Sequence, residues 1–259
     1  MSAYFVLVIL CLQGLMLTRC GKDETANSGA PDEVKEPRWT GPRLKKIGEN
    51  TSGLDFQNTL TETEALNYFV HSGFYNGAGV AVGDVNNDGL VDLYFAGNQV
   101  QNELYLNKGE LRFEKITESA GVAAAGKWCG GVTMVDLNSD GFLDIYVSVY
   151  FDPDKKTAPR NFLFLNNGDL TFTEKATDFG LDDPGNSVQT TFFDYDLDGD
   201  LDAYVLNQPT NWRAEKPKIT PPNGWKDTDR LYQNQGDGTF KDVTAEAGIE
   251  NYGYGLSVV

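Results

Sequence analysis

The sequence predicts an all-β fold built from repeated four-stranded units, and two observations carry this prediction. Three acidic turns lie between apolar runs, and their first aspartates are at positions 84, 136 and 194. Each is followed by a second pattern, in which a turn glycine at position 109, 168 or 236 precedes a phenylalanine by four residues. Repeats of about 50 to 60 residues are typical of supersecondary units that stack on their neighbours.

Each repeat is predicted to contain four short strands. The acidic turn joins two apolar runs, and an Asn-x-Gly turn joins two more, with Phe113, Phe172 and Phe240 packing inward. Four strands in roughly 50 to 60 residues match the size of one β-propeller blade. We therefore predict an incomplete β-propeller of about three blades plus the first strand of a fourth. The predicted repeats cover residues 74–122, 127–181 and 186–249, and a fourth begins near residue 253.

The acidic turns are candidate metal sites because oxygen-bearing side chains recur at positions 1, 3, 5 and 9. Glycine at position 6 permits the tight bend, and position 7 can offer its carbonyl. Such crowded carboxylates repel one another without a cation, and the all-oxygen set suits Ca²⁺ better than Mg²⁺. An ordinary Asp-Gly hairpin turn would not explain a position-9 aspartate three times.

The predicted ligands form about three Ca²⁺ sites, one in each turn. They are Asp84, Asn86, Asp88, Leu90 and Asp92; Asp136, Asn138, Asp140, Phe142 and Asp144; and Asp194, Asp196, Asp198, Asp200 and Asp202. A helical calcium hand would need an acidic residue at position 12 and a following helix. Position 12 is Phe95, Val147 or Val205 inside a run of strand composition, so that class is excluded.

Composition limits the partners. The chain has 259 residues, 40% of them hydrophobic, and a formal net charge of −17. That charge repels phosphate backbones and argues against a nucleic-acid partner. A cation is the natural partner instead.

The N-terminal region is predicted to be an export signal followed by a tether. Residues 4–17 form an apolar run typical of a signal-peptide core, and Leu17-Thr18-Arg19-Cys20 resembles the lipobox of bacterial lipoproteins. We expect residues 1–20 to direct export to the cell envelope or outer surface, with lipidation at Cys20 as the membrane attachment. Plain secretion and an uncleaved anchor are the alternatives. Residues 21–53 are polar and aperiodic, so they are predicted to be a flexible tether, and residues 54–259 the partial propeller.

Few other residues suggest chemistry. Cys129 is expected to be a small buried residue, and His71, the single histidine, a structural one. The connections over residues 149–161 and 207–229 vary in length between repeats, which marks them as candidate recognition loops. Trp212, Arg213 and Trp225 in the second loop suit either a ligand platform or loop packing. The sequence stops after residues 255–259, which align with the strand before an acidic turn, so we expect a fragment of a longer polypeptide or a chain that assembles with others.

The turn motif Asp-x-Asn/Asp-x-Asp-Gly-x-x-Asp between apolar strands resembles the FG-GAP or VCBS-type repeat of integrin α-like propellers. The surrounding sequence resembles that of the ASPIC/UnbV, cartilage-acidic-protein-like family, for example in the segments NGAGVAVGDVNNDGLVDLYFAGN and LYQNQGDGTFKDVTAEAGI. The resemblance covers residues 55–259. It implies a structural metal in each blade, a role in adhesion, extracellular binding or assembly, and no catalytic residue.

Three functions are therefore weighed. The first is an exported calcium-binding module that presents loops to an extracellular protein or glycan ligand. The second is a glycan-active enzyme such as a polysaccharide lyase or hydrolase, since carboxylates and aromatics are plentiful. The third is a structural part of a larger surface lipoprotein.

Overall fold

The computed structural model describes residues 45–71, 73–151, 158–208, 228–249, 251, 253 and 255–258. Its strands form three antiparallel four-stranded sheets, each following chain order. The first contains β1 (Val80–Gly83), β2 (Asp92–Phe95), β3 (Glu103–Asn107) and β4 (Phe113–Lys115). The second contains β5 (Trp128–Val135), β6 (Asp144–Phe151), β7 (Phe162–Asn166) and β8 (Phe172–Glu174). The third contains β9 (Ser187–Phe193), β10 (Asp202–Asn207), β11 (Arg230–Asn234) and β12 (Phe240–Asp242).

These sheets are the predicted blades, and the all-β propeller fold class is confirmed. Within each blade the first two strands pair right up to the acidic turn, as in the pairs Gly83 with Asp92 and Val135 with Asp144. The position-12 residues lie inside β2, β6 and β10. A strand follows each of the three acidic turns, so the sequence argument against helical calcium hands is confirmed.

The blades pack face to face through two apolar cores. The first strands β1, β5 and β9 are neighbours in order. Tyr94 lies in the core between the first and second blades, and Tyr146 lies in the core between the second and third. Their buried hydroxyls donate to the carbonyls of Val122 and Leu181, at 2.6 and 2.7 Å. The first and second blades are thus each hydrogen-bonded to the chain segment that leads into the next blade.

The inward packing of the outer-strand phenylalanines is confirmed for two of the three. Phe172 and Phe240 are buried against the preceding blade. Phe113 is only partly buried, because it belongs to the first blade and no described sheet precedes it.

A short helical turn follows the outer strand of each blade and another precedes the first blade, and the sequence reasoning missed all four. The helices are α1 (Glu49–Ser52), α2 (Thr117–Ala120), α3 (Ala176–Phe179) and α4 (Thr244–Ala247). Each ends at a glycine with positive φ, the conformation that ends helices at least cost to a residue without Cβ. These glycines are Gly53, Gly121, Gly180 and Gly248.

The first helix lies within the predicted tether. Gly121 and Gly180 face the carbonyls of Phe172 and Phe240 in the next blade, and Gly53 faces the carbonyl of Phe113 in the same way. Residues 49–53 therefore occupy, against the first blade, the place that α2 occupies against the second. These residues belong to the predicted tether, and here they form a helical turn beside the first blade.

The chain beyond α1 continues along the first blade. Phe56 stacks on Phe95 with ring centroids 5.0 Å apart, and Asp55 forms an ion pair with Lys115 at 2.7 Å. The segment leaves part of the face uncovered, since Val80 and Val82, on the same face, remain well exposed.

Residues 46–259 cluster as one compact unit. Among the residues described above, no helix has both the length and the apolar character needed to cross a membrane. The predicted signal segment, Cys20, most of the tether and the aromatic residues Trp212 and Trp225 lie outside the described residues, as does Arg213.

Candidate metal centre

Each acidic turn connects the first two strands of a blade. The position-1 aspartates Asp84, Asp136 and Asp194 come directly after β1, β5 and β9. The position-9 aspartates are the first residues of β2, β6 and β10. The sheet therefore fixes both ends of every turn, and the predicted ligands between them share one small loop.

Two left-handed residues curl each loop. In the first turn they are Asn87 at φ 59° and Gly89 at φ 84°. The other two turns have the same conformation, at Ser139 and Gly141 and at Leu197 and Gly199. Asparagine tolerates this region better than most residues, and glycine adopts it freely. The bend directs backbone amides toward the position-1 side chain: Asp84 accepts from Asp88 at 3.2 Å and from Gly89 at 2.7 Å.

The position-9 aspartate ties the turn to the third strand. Asp92 is fully buried, and its two oxygens accept from the backbone amides of Val85 and Asn107, both within 2.9 Å. Desolvation raises its pKa. The same cause raises the pKa of the equivalent Asp144 to about 6. The two backbone amides that donate to each of these carboxylates act in the opposite direction and lower the pKa.

Position 3 separates the third turn from the first two. Asn86 donates its side-chain amide to Asp88 at 3.1 Å, and Asn138 repeats this in the second turn. The third turn has Asp196 instead, which accepts from the amide of Gln233 at 2.6 Å. There, carboxylate oxygens of Asp194, Asp196 and Asp202 all lie within 4.8 Å of one another.

The donor set fits a hard divalent cation. It consists of carboxylate and amide oxygens, the ligands that Ca²⁺ takes six to eight at a time. The position-7 residues Leu90, Phe142 and Asp200 donate their backbone amides to the position-5 carboxylates, which places them inside the loops. In the described part of the chain, no recorded Lys or Arg ion pair involves a turn carboxylate.

The sequence reasoning missed the asparagine that supports each turn. Asn107, Asn166 and Asn234 open the Asn-x-Gly turns, and the backbone amide of each donates to the position-9 aspartate. The side chain of Asn166 also reaches back to the carbonyl of Val85 in the first turn, at 2.8 Å. A recurring asparagine was visible in the repeats, but it was interpreted only as a hairpin residue.

Other candidate residues have structural surroundings. Cys129 is fully buried, and burial raises its pKa to about 12, so the thiol is held neutral. His71 stacks on Phe151, with ring centroids 4.6 Å apart.

The fold and these turns define the class of protein: a β-propeller in which the first hairpin of every described blade carries an acidic turn. Residues 84–147 match the FG-GAP-like repeat family. The chain is also 32% identical over 136 residues to cartilage acidic protein 1 of Xenopus tropicalis, and 28% identical over 138 residues to that of Homo sapiens. Each match covers 52% of this chain and 20% of the relative, so the matched region is about one fifth of the relatives' length. The resemblance noted in the sequence is confirmed over about half of the chain.

Proposed function

We propose that this chain is an exported, calcium-binding propeller module that serves binding, adhesion or scaffolding at a cell surface. The observation that carries the proposal is the presence of one acidic turn per blade, each built from oxygen donors and none neutralised by a described Lys or Arg. A similar relative and a matching repeat family support a module of this type and not an enzyme.

Each turn is proposed to hold one Ca²⁺ through the side chains at positions 1, 3, 5 and 9 and the carbonyl at position 7. In the third turn three carboxylates already converge. In the first two, Asn86 and Asn138 would offer their side-chain oxygens after the amide rotates away from the position-5 carboxylate. Bound calcium would supply the positive charge that lets these carboxylates stay close together.

The consequence for the blade follows from the buried aspartate. Asp92 belongs to the proposed ligand set and also accepts from Asn107 on the third strand. An ion held by this carboxylate would therefore connect the first hairpin to the second. Rigid blades would then support the longer connections over residues 149–161 and 207–229, which we propose as recognition loops for an extracellular protein or glycan.

Export is proposed from the apolar segment before Cys20, with either lipid anchoring at that cysteine or release. Metabolic labelling with palmitate in a bacterial host distinguishes the two, because Cys20→Ser should abolish the label. Label retained in Cys20→Ser would contradict anchoring at this residue.

Thermal unfolding with calcium or with chelator tests the proposal. A site occupied at 100 times its Kd adds about 2.7 kcal/mol to stability, so calcium should raise Tm by several degrees over the chelated sample. Asp88→Ala should reduce this rise in Tm by the contribution of one calcium site. Asp237→Asn changes an exposed residue outside the acidic turns. This variant serves as the control and should keep the full rise in Tm. Equal melting temperatures with calcium and with chelator would contradict the proposal.

A further inference from the structure

A cavity of about 400 Å³ lies at the end of the blades opposite the acidic turns. Its walls include the starts of the first strands, which run from the cavity toward the turns. They also include Tyr150 and Gln208, at the points where the two long connections leave β6 and β10. The cavity therefore sits at the foot of the proposed recognition loops, at a volume typical of small-molecule sites.

Register shifts between the first two strands of the second and third blades shape the cavity wall. Pairing between β5 and β6 shifts between Cys129 and Val132, which leaves Gly130 and Gly131 without regular partners. Pairing between β9 and β10 shifts at Leu206. A methyl group added at either glycine would come within 2.9 Å of the carbonyl of Val188. The glycines thus let neighbouring backbones touch, and the register shifts, which like β-bulges often lie next to binding sites, open the rim.

One side chain in the cavity breaks the repeat. Gln189 occupies the position that is Gly79 and Gly131 in the first two repeats. Its side-chain oxygen accepts from the hydroxyl of Ser257 at 3.0 Å. Among the described residues, its side-chain nitrogen has no hydrogen-bond partner, and the side chain of Asn76, also on the wall, has none either. Two amide groups are therefore available to a ligand.

The cavity chemistry is uncharged. The described wall residues include no Asp, Glu, Lys or Arg, although the chain carries a net charge of −17. Tyr150 donates its hydroxyl to Gln208 at 3.1 Å, and Trp128 forms an apolar part of the wall. Amides and backbone groups beside aromatic rings suit a ligand rich in hydroxyls, whereas the surrounding negative charge disfavours acidic ligands.

We propose that this cavity binds one unit of an uncharged saccharide, with Gln189 and Asn76 as hydrogen-bonding residues. The inference rests on the proposed function as a binding module and names the ligand class of its recognition end. It does not require the acidic turns to hold calcium, since they lie at the other end of the blades.

Saturation-transfer NMR and calorimetry on the full chain test this inference. The probes are glucose, galactose and N-acetylglucosamine, with glucuronate as an acidic comparison and triglycine as a peptide comparison. At least one neutral sugar should bind, and Gln189→Gly should weaken it about tenfold, because that variant restores the glycine of the other repeats and removes a hydrogen bond to the ligand. Gln235→Ala, at the opposite end, should leave the affinity unchanged.

Three outcomes would overturn the inference: no binding of any neutral sugar at millimolar concentration, tighter binding of glucuronate or triglycine, or equal affinity in Gln189→Gly. Calcium uptake measured on the same samples keeps the two proposals apart. Sugar binding without calcium uptake would remove only the metal proposal, and the reverse result would remove only this one.

Discussion

Replacing the glycines that end the four helical turns tests the contacts between blades one position at a time. Gly53, Gly121, Gly180 and Gly248 all have φ between 68° and 77°. Alanine in this left-handed region costs about 1 to 2 kcal/mol. Because that strain is common to the four variants, differences among them report what the added methyl group meets.

The structure ranks the four positions. The added carbon would lie 2.4 Å from the facing backbone carbonyl oxygen at Gly53, 2.9 Å at Gly180 and 3.7 Å at Gly121, and it meets nothing within 4 Å at Gly248. The two shortest contacts require the backbone to move, and overpacking of this kind costs about 1 to 3 kcal/mol. We expect losses of about 2 to 5 kcal/mol for Gly53→Ala and Gly180→Ala, and of about 1 to 2 kcal/mol for the other two.

Urea unfolding at fixed calcium measures these losses, and hydrogen exchange locates them. In Gly53→Ala the strain can be relieved locally, because residues 46–61 can detach while the blades stay folded. Part of the Gly53→Ala loss should therefore appear as faster exchange in residues 46–61, whereas the whole Gly180→Ala loss should appear in global stability. Equal losses in all four variants, or unchanged exchange in Gly53→Ala, would refute the packing argument.

Three further predictions concern single side chains. Asp196→Asn gives the third turn the asparagine of the other two, so calorimetry should show its calcium affinity lowered about tenfold, as expected for one lost charge in a shared site; unchanged affinity would contradict the convergence of its carboxylates. Tyr146→Phe removes the hydroxyl that donates to Leu181 and should cost about 1 to 2 kcal/mol in urea unfolding, and a loss near zero would show that the contact is dispensable. Cys129 should resist iodoacetamide in the native chain and react after unfolding, as read by peptide mass spectrometry, because burial keeps its thiol neutral; rapid native labelling would be inconsistent with its burial.

Much of the fold could be predicted from the sequence because the same residue pattern recurs in three repeats. Four strands per unit, the hairpin through each acidic turn and the burial of Cys129 followed from residue pattern alone. The residues predicted as metal ligands lie on the turns between the first two strands of each blade, and strands fix both ends of each turn.

What the sequence did not reveal depends on packing between repeats. A four-residue helix such as Glu49–Ser52 has too little intrinsic preference to be recognised, because most helical stability comes from tertiary contact. Its closing glycine lies close to the carbonyl of Phe113, a residue in the outer strand of the first blade that is far away in sequence. The role of Asn107 and the position of Gln189 in a cavity likewise appear only when strands from different parts of the chain meet.

Calcium titration of the metal-free chain by calorimetry tests the central claim most directly. We predict saturable binding at about three sites, with Asp84→Asn, Asp136→Asn and Asp194→Asn each removing one site and the combined variant binding none while it remains folded by circular dichroism. Absence of calcium binding by the unmodified chain, or undiminished binding by the combined variant, would contradict the assignment of these turns as metal sites.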